Sequence, residues 1–188
     1  MNKNLKNYIK KYNNALSENL CDSITNSLDK NNFSKHTFYD PVKNLNYDRM
    51  GDKELSVSFQ PVQNIEIINN IVKELIIMYC KGLNFQWFDG INKFTNIRFN
   101  RYEKNNLMDL HCDHIHDIFD GINKGVPILS ILGLLNSDFK GGEFIMFDNY
   151  DLKLKKGDIL IFPSNFLYPH KVKEIKNGIR YSFISWAY

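Results

Sequence analysis

The sequence has few cysteines, no long apolar run and no large excess of charge of one sign. Its three cysteines include no CxxC pair, so neither a disulfide framework nor a zinc ribbon is expected, and a reducing compartment is favoured. No stretch approaches the ~20 apolar residues that a membrane span needs. Residues 1–14 are polar and lack the apolar core of a signal peptide. We therefore expect a cytoplasmic protein that does not cross a membrane.

The charge balance also limits the choice of partner. Lys and Arg number 24 against 21 Asp and Glu, a net charge of +3 over 188 residues, which is too weak to indicate nucleic-acid binding by itself. Hydrophobic residues make up 43% and aromatic residues 14%. This composition and length are typical of a single globular domain, and we expect residues 1–188 to form one.

Two amphipathic helices are predicted in the first half of the chain. Ser17 can cap a helix whose apolar positions, Leu20 to Leu28, recur at steps of three and four. A second apolar face predicts a helix over roughly 62–82, with Pro61 in its first turn and Gly82 as its C-cap. Residues 1–15 are expected to dock loosely. Residues 1–93 are thus predicted to be a mainly helical support.

From residue 94 onward the hydrophobic period changes from 3.6 to two, which predicts short strands. The predicted strands are 94–102, 107–113, 128–135, 143–147, 152–154, 159–162, 170–175 and 179–188. Eight short strands with regular turn signals favour a sandwich or barrel. The predicted class is mostly β (α+β), a double-stranded β-helix of the jelly-roll or cupin type over residues 94–188, backed by the N-terminal helices.

A metal site is indicated by His111 and Asp113. Residues two apart on a strand point to the same face, so the imidazole and the carboxylate would project together. They lack one ligand of the 2-His-1-carboxylate triad that holds non-haem Fe(II), and His170 is the best candidate to complete it. Arg180 follows ten residues later. The His-x-Asp pair alone is a weak signal, and the specificity comes from the order and spacing of all four residues.

We predict that His170 and Arg180 lie on two strands of one hairpin. A two-residue loop would turn Arg180 away from the metal face. A three-residue loop over 176–178, with Gly178 in the left-handed conformation, would pair residue 170 with residue 184. Arg180, Ser182 and Trp186 would then share the face of His170, and the three-residue loop is the predicted one.

The motifs of residues 94–188 resemble those of the Fe(II)/2-oxoglutarate-dependent dioxygenases, within them the prolyl 4-hydroxylase-like group. The matching landmarks, in order, are Arg101-Tyr102 nine residues before His-x-Asp, Ser130 to Asn136 followed by Gly141-Gly142-Glu143, Gly157-Asp158 before an apolar strand, His170, Gly178 to Ser182, and Trp186. Three positions depart from the pattern. Arg180 stands where collagen-type enzymes carry Lys, Leu134 replaces a Tyr, and Ser130 replaces a Thr.

This resemblance implies a ligand set and a reaction. His111, Asp113 and His170 would bind Fe(II), and Arg180 would pair with the far carboxylate of 2-oxoglutarate. Tyr102, Ser130 and Ser182 would complete the cosubstrate site. With O2, the enzyme would release succinate and CO2 and hydroxylate a peptidyl residue, proline first, and ascorbate is expected to support activity.

Three other functions remain open at this stage. A free amino acid or another small molecule could be the substrate of the same chemistry. A nucleic-acid demethylase is disfavoured, because Trp186 stands where that group carries a second Arg. A non-catalytic cupin-like binding module is disfavoured, because His111, Asp113, His170 and Arg180 are all present. The polar segment 114–125 is predicted to be a loop that grips the substrate, and the sequence does not set the oligomeric state.

Overall fold

The computed structural model describes residues 5–40, 43, 45–91, 93–113 and 127–188. The predicted substrate loop over 114–125 therefore lies outside the described residues. Among those described, no helix is long and apolar enough to cross a membrane. All three cysteines are free thiols.

The described chain forms two α-helices, two short 3-10 helices and a larger number of strands. The helices are α1 (Glu18–Leu28) and α2 (Ile65–Leu83), and the 3-10 turns are Leu5–Tyr8 and Gly51–Lys53. The strands are β1 (Lys10–Tyr12), β2 (Ser34–Lys35), β3 (Phe38–Asp40), β4 (Leu45–Tyr47), β5 (Ser56–Ser58), β6 (Arg98–Tyr102), β7 (Met108–His111), β8 (Leu129–Leu134), β9 (Lys140–Gly141), β10 (Phe144–Met146), β11 (Tyr150–Asp151), β12 (Ile159–Pro163), β13 (His170–Val172), β14 (Ile175–Asn177) and β15 (Arg180–Ala187).

Most strands belong to two antiparallel sheets. The major sheet has the order β1-β12-β8-β15-β6-β5-β2, and the minor sheet has the order β11-β10-β13-β7. From β6 onward the chain passes repeatedly between the two sheets, with β6, β8, β12 and β15 in the major sheet and β7, β10, β11 and β13 in the minor sheet. This is the connectivity of a jelly roll, and it confirms the predicted mostly β class with a jelly-roll core.

The two faces of the major sheet carry two separate apolar clusters. One cluster joins the helices to the outer face and includes Ile24, Ile131 and Phe183. The other fills the space between the sheets and includes Leu132 and Phe162. Alternate residues of each major strand therefore point either to the helices or to the interior.

The first helix is formed as predicted. The Ser17 hydroxyl accepts a hydrogen bond from the Leu20 N–H at 3.3 Å, which satisfies one of the free donors of the first turn. The buried positions of α1 are the predicted ones: Leu20, Cys21, Ile24 and Leu28.

The ends of the second helix differ from the prediction. It begins after Asn64, three residues later than Pro61 would place it. It continues through Gly82 and ends at Leu83, and its C-cap, Asn84, takes the left-handed conformation at φ 52°. Asn tolerates that conformation, so Gly82 is not needed as the cap.

The N-terminal region is more than a helical support. Residues 1–15 were expected to dock loosely, but β1 pairs with β12, with Lys10 opposite Ile161. Likewise β5 pairs with β6. Three short strands thus extend the major sheet at both edges. In the β core, the predicted strand over 152–154 is wrong, since the paired residues are Tyr150 and Asp151.

The predicted hairpin between His170 and Arg180 is also wrong. β13 lies in the minor sheet and β15 in the major sheet, and the intervening β14 pairs with β9. Ile184 pairs with Arg98 and Leu132 and not with residue 170. Both side chains still face the interior, because the two sheets turn their inner faces toward each other.

Candidate metal centre

Three side chains from the minor sheet meet at one end of the interior. His111 is the last residue of β7, His170 is the first of β13, and the two are direct cross-strand partners. Their ring centroids lie 4.3 Å apart. Asp113, two residues beyond His111 and past the end of β7, completes the group, so strand alternation, which predicted its direction, does not extend to it.

The distances within this group suit a single bound ion. Asp113 Oδ1 lies 3.5 Å from His111 Nε2 and 3.7 Å from His170 Nε2. One potential ligand atom from each residue lies within 4.8 Å of the others. The side chains are 14%, 6% and 3% exposed for His111, Asp113 and His170, respectively. Among the described residues, this is the one group of three or more His, Cys, Asp or Glu side chains so arranged.

Both histidines are held in the tautomer that a metal ligand requires. His111 Nδ1 lies 2.7 Å from the carbonyl of Asp109, and His170 Nδ1 lies 3.1 Å from the carbonyl of Tyr168. A carbonyl can only accept, so each Nδ1 carries the proton and donates it. Each Nε2 therefore presents a lone pair toward Asp113, as in metal sites whose histidines bond backbone carbonyls.

Asp113 is held as a carboxylate. Burial by itself would raise its pKa, but His170 and His111, which carry positive charge when protonated, and the Ser130 hydroxyl together hold the pKa well below its usual range. Ser130 Oγ donates to Asp113 Oδ2 at 2.5 Å. Since its single proton is used there, Ser130 accepts the hydrogen bond from Ser164, whose Oγ is 2.8 Å away.

His170 is held in its neutral form. Burial lowers its pKa to about 4, against the opposing effect of Asp113. The ring packs between Phe144 and Phe162, with centroids 5.3 and 5.0 Å away. These aromatic rings keep water from the inner side of the centre.

Arg180 lies in the same interior and has no carboxylate partner among the described residues. Its side chain is 1% exposed. Nη1 donates to Ser182 Oγ at 2.8 Å, the guanidinium lies 5.1 Å from the Tyr102 ring, and the buried Nε has no partner. Burial lowers the pKa of Arg180. A buried cation is costly when unpaired, so this group is suited to an anionic ligand.

Of the predicted cosubstrate residues, Tyr102 lies against the Arg180 guanidinium, and the two serines hydrogen-bond to other site residues. Tyr102 is buried beneath the Arg180 guanidinium, and burial raises its pKa. Ser182 supports Arg180, and Ser130 supports Asp113. The structure thus brings all the predicted residues to one interior, and it gives the two serines contacts with protein side chains.

Three further polar residues of this interior were not predicted as site residues. Arg98 and Asn100 share the inner face of β6 with Tyr102, and Trp186 lies on the inner face of β15 beside Arg98. The alternation of Arg98, Asn100 and Tyr102 was the available signal. Trp186 is half-buried, whereas Phe183 is fully buried in the outer apolar cluster.

Comparison with known proteins identifies the family. Residues 97–188 match the family model of the 2OG-Fe(II) oxygenase superfamily, and this segment contains all three members of the His-Asp-His group. This half of the chain belongs to the 2OG-Fe(II) oxygenase superfamily. The resemblance noted from the motifs is thereby confirmed, and the family implies Fe(II), 2-oxoglutarate and O2.

The curated relatives of this oxygenase segment are PKHD-type hydroxylases. One from Xylella fastidiosa (strain M12) is 30% identical, over 48% of this chain and 43% of the relative. One from Prochlorococcus marinus (strain MIT 9515) is 40% identical, over 43% of this chain and 37% of the relative. The chain therefore spans less than half the length of these relatives.

Solved structures with the same fold include two prolyl hydroxylases. A prolyl hydroxylase from Trichoplax adhaerens, in complex with a hypoxia inducible factor oxygen degradation domain peptide fragment, has a TM-score of 0.74 and 18% identity, covering 97% of this chain and 84% of that one. A viral collagen prolyl hydroxylase from Paramecium Bursaria Chlorella virus-1 has a TM-score of 0.65 and 18% identity, covering 96% and 94%. At this identity the likeness establishes the fold.

Proposed function

We propose that this chain is an Fe(II)- and 2-oxoglutarate-dependent dioxygenase that hydroxylates a peptidyl residue, with proline as the first candidate. The observation that carries the proposal is the pairing of a His-Asp-His group, with both Nε2 lone pairs turned toward Asp113, with a buried arginine that lacks a carboxylate. An iron site and an anion site in one interior are what this reaction needs.

The donor set fits Fe(II). The Nε2 atoms of His111 and His170 and a carboxylate oxygen of Asp113 would hold the ion and leave further coordination positions free. When bound, iron with 2-oxoglutarate and O2 supplies the oxidation of a substrate C–H bond, with release of succinate and CO2. The roles of His111, Asp113 and His170 as its ligands are part of the proposal.

The surrounding residues bind, orient and exclude water. The carbonyls of Asp109 and Tyr168 fix the imidazole rings, and Ser130 fixes the carboxylate. Arg180 would bind the far carboxylate of 2-oxoglutarate through its planar fork. The Tyr102 ring lies 5.1 Å from the guanidinium carbon of Arg180, and this contact helps to position the guanidinium.

Proline is put first because of the names of the similar proteins. The curated relatives are PKHD-type hydroxylases, and the solved structures are prolyl hydroxylases, one of them with a peptide bound. A free amino acid is the second candidate, and the same assay compares the two. The predicted cytoplasmic location stays a prediction that rests on cysteine usage.

The test is 2-oxoglutarate turnover by the purified protein. Wild type, Asp113→Ala and Asp109→Asn are supplied with Fe(II) and ascorbate, then with proline peptides or free L-proline. Succinate release and a product heavier by one oxygen are followed by mass spectrometry. Asp109 is a matched control, because its side chain is exposed on the same strand and His111 uses only its backbone carbonyl.

We expect turnover in wild type and Asp109→Asn and none in Asp113→Ala. Omitting ascorbate tests its supporting role. Purified protein that retains no iron and consumes no 2-oxoglutarate would refute the oxygenase proposal and favour a binding module.

A further inference from the structure

A second arginine of the interior, Arg98, is positioned differently from Arg180. Arg98 begins β6 and pairs with Ile184 of β15. The next residue, Phe99, packs into the outer cluster, so Arg98 points to the interior. Its Nε donates to Asn100 Oδ1 at 3.2 Å, and its guanidinium carbon lies 5.0 Å from the Trp186 ring.

The charge of Arg98 is not matched by a neighbouring carboxylate. Within the described parts of the chain, Arg98 forms no ion pair, and its two terminal nitrogens donate no hydrogen bond. Burial lowers its pKa, while the charges of Tyr102 and Asp113 raise it. Asp113 is therefore close enough to interact electrostatically with Arg98. Its oxygens, however, already contact the two histidines and Ser130.

Arg101, on the same strand, has the carboxylate partner that Arg98 lacks. Its side chain points to the other face, where it forms an ion pair with Glu103 at 2.9 Å and lies over Phe33. Arg98 has the aromatic neighbour without the carboxylate. A second donor beside it, Trp186 Nε1, is also buried and without a partner.

Accessibility separates the two interior arginines. Arg180 is sealed at 1% exposure, which suits a small cosubstrate. Arg98 is half-buried, so its free nitrogens can be reached from outside. Its position, near Asp113 and beside Trp186, is on the side of the interior that holds the metal ligands.

We propose that Arg98 binds the substrate by its carboxylate, and that substrates of this enzyme carry a carboxylate close to the carbon that is hydroxylated. This rests on the proposed dioxygenase function and names its substrate class. The Trp186 ring, 5.0 Å from the guanidinium carbon, and the hydrogen bond to Asn100 position the guanidinium, and its two unused terminal nitrogens can bind a carboxylate bidentately. The carboxylate has two chemical sources, an acidic side chain next to the target residue of a peptide or the α-carboxylate of a free amino acid.

The experiment measures binding to the enzyme loaded with Mn(II) and 2-oxoglutarate, which holds the ligands without turnover. Proline-centred peptides are compared in matched pairs, with Glu or Gln at each flanking position. L-Proline and L-prolinamide form the small-molecule pair. We expect the acid of at least one pair to bind about tenfold to a hundredfold more tightly than its amide.

Variants assign that preference to Arg98. Arg98→Gln should abolish it, and Arg98→Lys, which keeps the charge and loses the fork, should retain part of it. Arg101→Gln, on the opposite face of the strand, should keep the full preference. Affinity for 2-oxoglutarate should be unchanged in Arg98→Gln, and thermal unfolding checks that both Arg98 variants are folded.

Each outcome decides the proposal. A preference confined to the peptides assigns the carboxylate to an acidic side chain, and one confined to L-proline assigns it to the α-carboxylate. If wild type binds Mn(II) and 2-oxoglutarate but shows no acid preference, or the preference survives in Arg98→Gln, the role of Arg98 is refuted and the dioxygenase proposal stands. If wild type binds neither Mn(II) nor 2-oxoglutarate, both proposals fail.

Discussion

At the scale of single residues, the candidate metal centre is organised by hydrogen bonds that the three proposed ligand residues make to their neighbours. The same local arrangement occurs twice, with the Nδ1 of each histidine donating to the carbonyl two residues earlier. The Ser130 hydroxyl likewise donates a hydrogen bond to the Asp113 carboxylate and orients it. Such supporting bonds orient a ligand before the metal arrives, so removing one should weaken metal binding while the ligands themselves remain.

Ser130→Ala should therefore lower metal affinity by roughly tenfold to a hundredfold. The lost hydrogen bond also raises the pKa of Asp113, because that bond is one of the groups that lower it. Ser185→Ala is the matched control, since Ser185 is equally buried and donates to the Thr95 carbonyl away from the centre. Mn(II) titration followed by calorimetry measures both variants, and equal affinities in the two would show that Ser130 does not support the ligand.

Arg180→Met should weaken the binding of 2-oxoglutarate without destabilising the folded protein. The KM for 2-oxoglutarate should rise about tenfold or more, because charge-assisted hydrogen bonds are lost. The metal-free protein should be as stable as wild type or more so, since an unpaired buried cation is removed and an apolar side chain of similar length replaces it. Steady-state kinetics and urea unfolding are the two measurements. A large loss of stability with an unchanged KM would make Arg180 a structural residue.

At the scale of elements, local patterns predicted which segments form and which way their side chains point. The stripe of α1 and its Ser17 cap were predictable because both depend on residues within one or two turns. The inward direction of Arg180 was reached through a hairpin that does not exist. The alternation along β15 is local and was correct. The partner of β13 depends on packing between distant segments, which the pattern around residues 176–178 does not encode.

The same reasoning explains what was missed at the site. His111, Asp113, His170 and Arg180 could be selected because their spacing matches a known motif. Arg98 has no such motif, and its unpaired state is visible only when the neighbouring strand is in place. The short N-terminal strands were missed because two or three residues show no readable period.

Two glycines test the backbone requirements of these elements. Gly141 has φ +81°, and a Cβ there would lie 2.2 Å from the Glu174 carbonyl oxygen, where β9 pairs with β14. Gly141→Ala should destabilise the protein by about 2 kcal/mol or more, since both the left-handed backbone and the clash oppose it. Gly82 lies inside α2 with nothing within 4 Å, so Gly82→Ala should stabilise by about 0.5–1 kcal/mol. Denaturant unfolding of both variants measures the difference, and a tolerated Gly141→Ala would contradict the pairing geometry.

At the scale of the whole molecule, the N-terminal third is joined to the oxygenase core through strands as well as helices. His36, just after β2, donates its backbone N–H to the Leu55 carbonyl at 2.9 Å, and its ring Nδ1 lies 3.2 Å from Glu54 Oε1. Both side chains are buried. That a single domain covers residues 1–188 stays a prediction. Both residues of this buried pair belong to the N-terminal region, and Glu54 also forms a β-bridge with Leu107 of the core, so the pair lies where the two regions meet.

Burial lowers the pKa of His36, although Glu54 opposes the shift. The folded protein therefore takes up this proton less readily than the unfolded chain, whose histidine pKa is about 6.5. Stability is fully present above about pH 6.5 and falls as the pH drops below it, by at most ~1.4 kcal/mol per pH unit for this group. His170, with a pKa of about 4, acts in the same direction in the metal-free protein, so a variant is needed to isolate His36.

His36→Gln keeps a hydrogen-bond donor for Glu54 and removes the titrating group. Urea unfolding of metal-free protein at pH 7.5, 6.5 and 5.5 should show wild type losing more stability than His36→Gln between the upper and lower pH. The contribution of His170 is common to both proteins and cancels in the comparison. An equal loss in both would contradict a lowered pKa of His36, and a smaller loss in wild type than in His36→Gln would mean that His36 is protonated beside Glu54 in the folded protein. The His36–Glu54 contact would then be an ion pair instead of a hydrogen bond from a neutral imidazole.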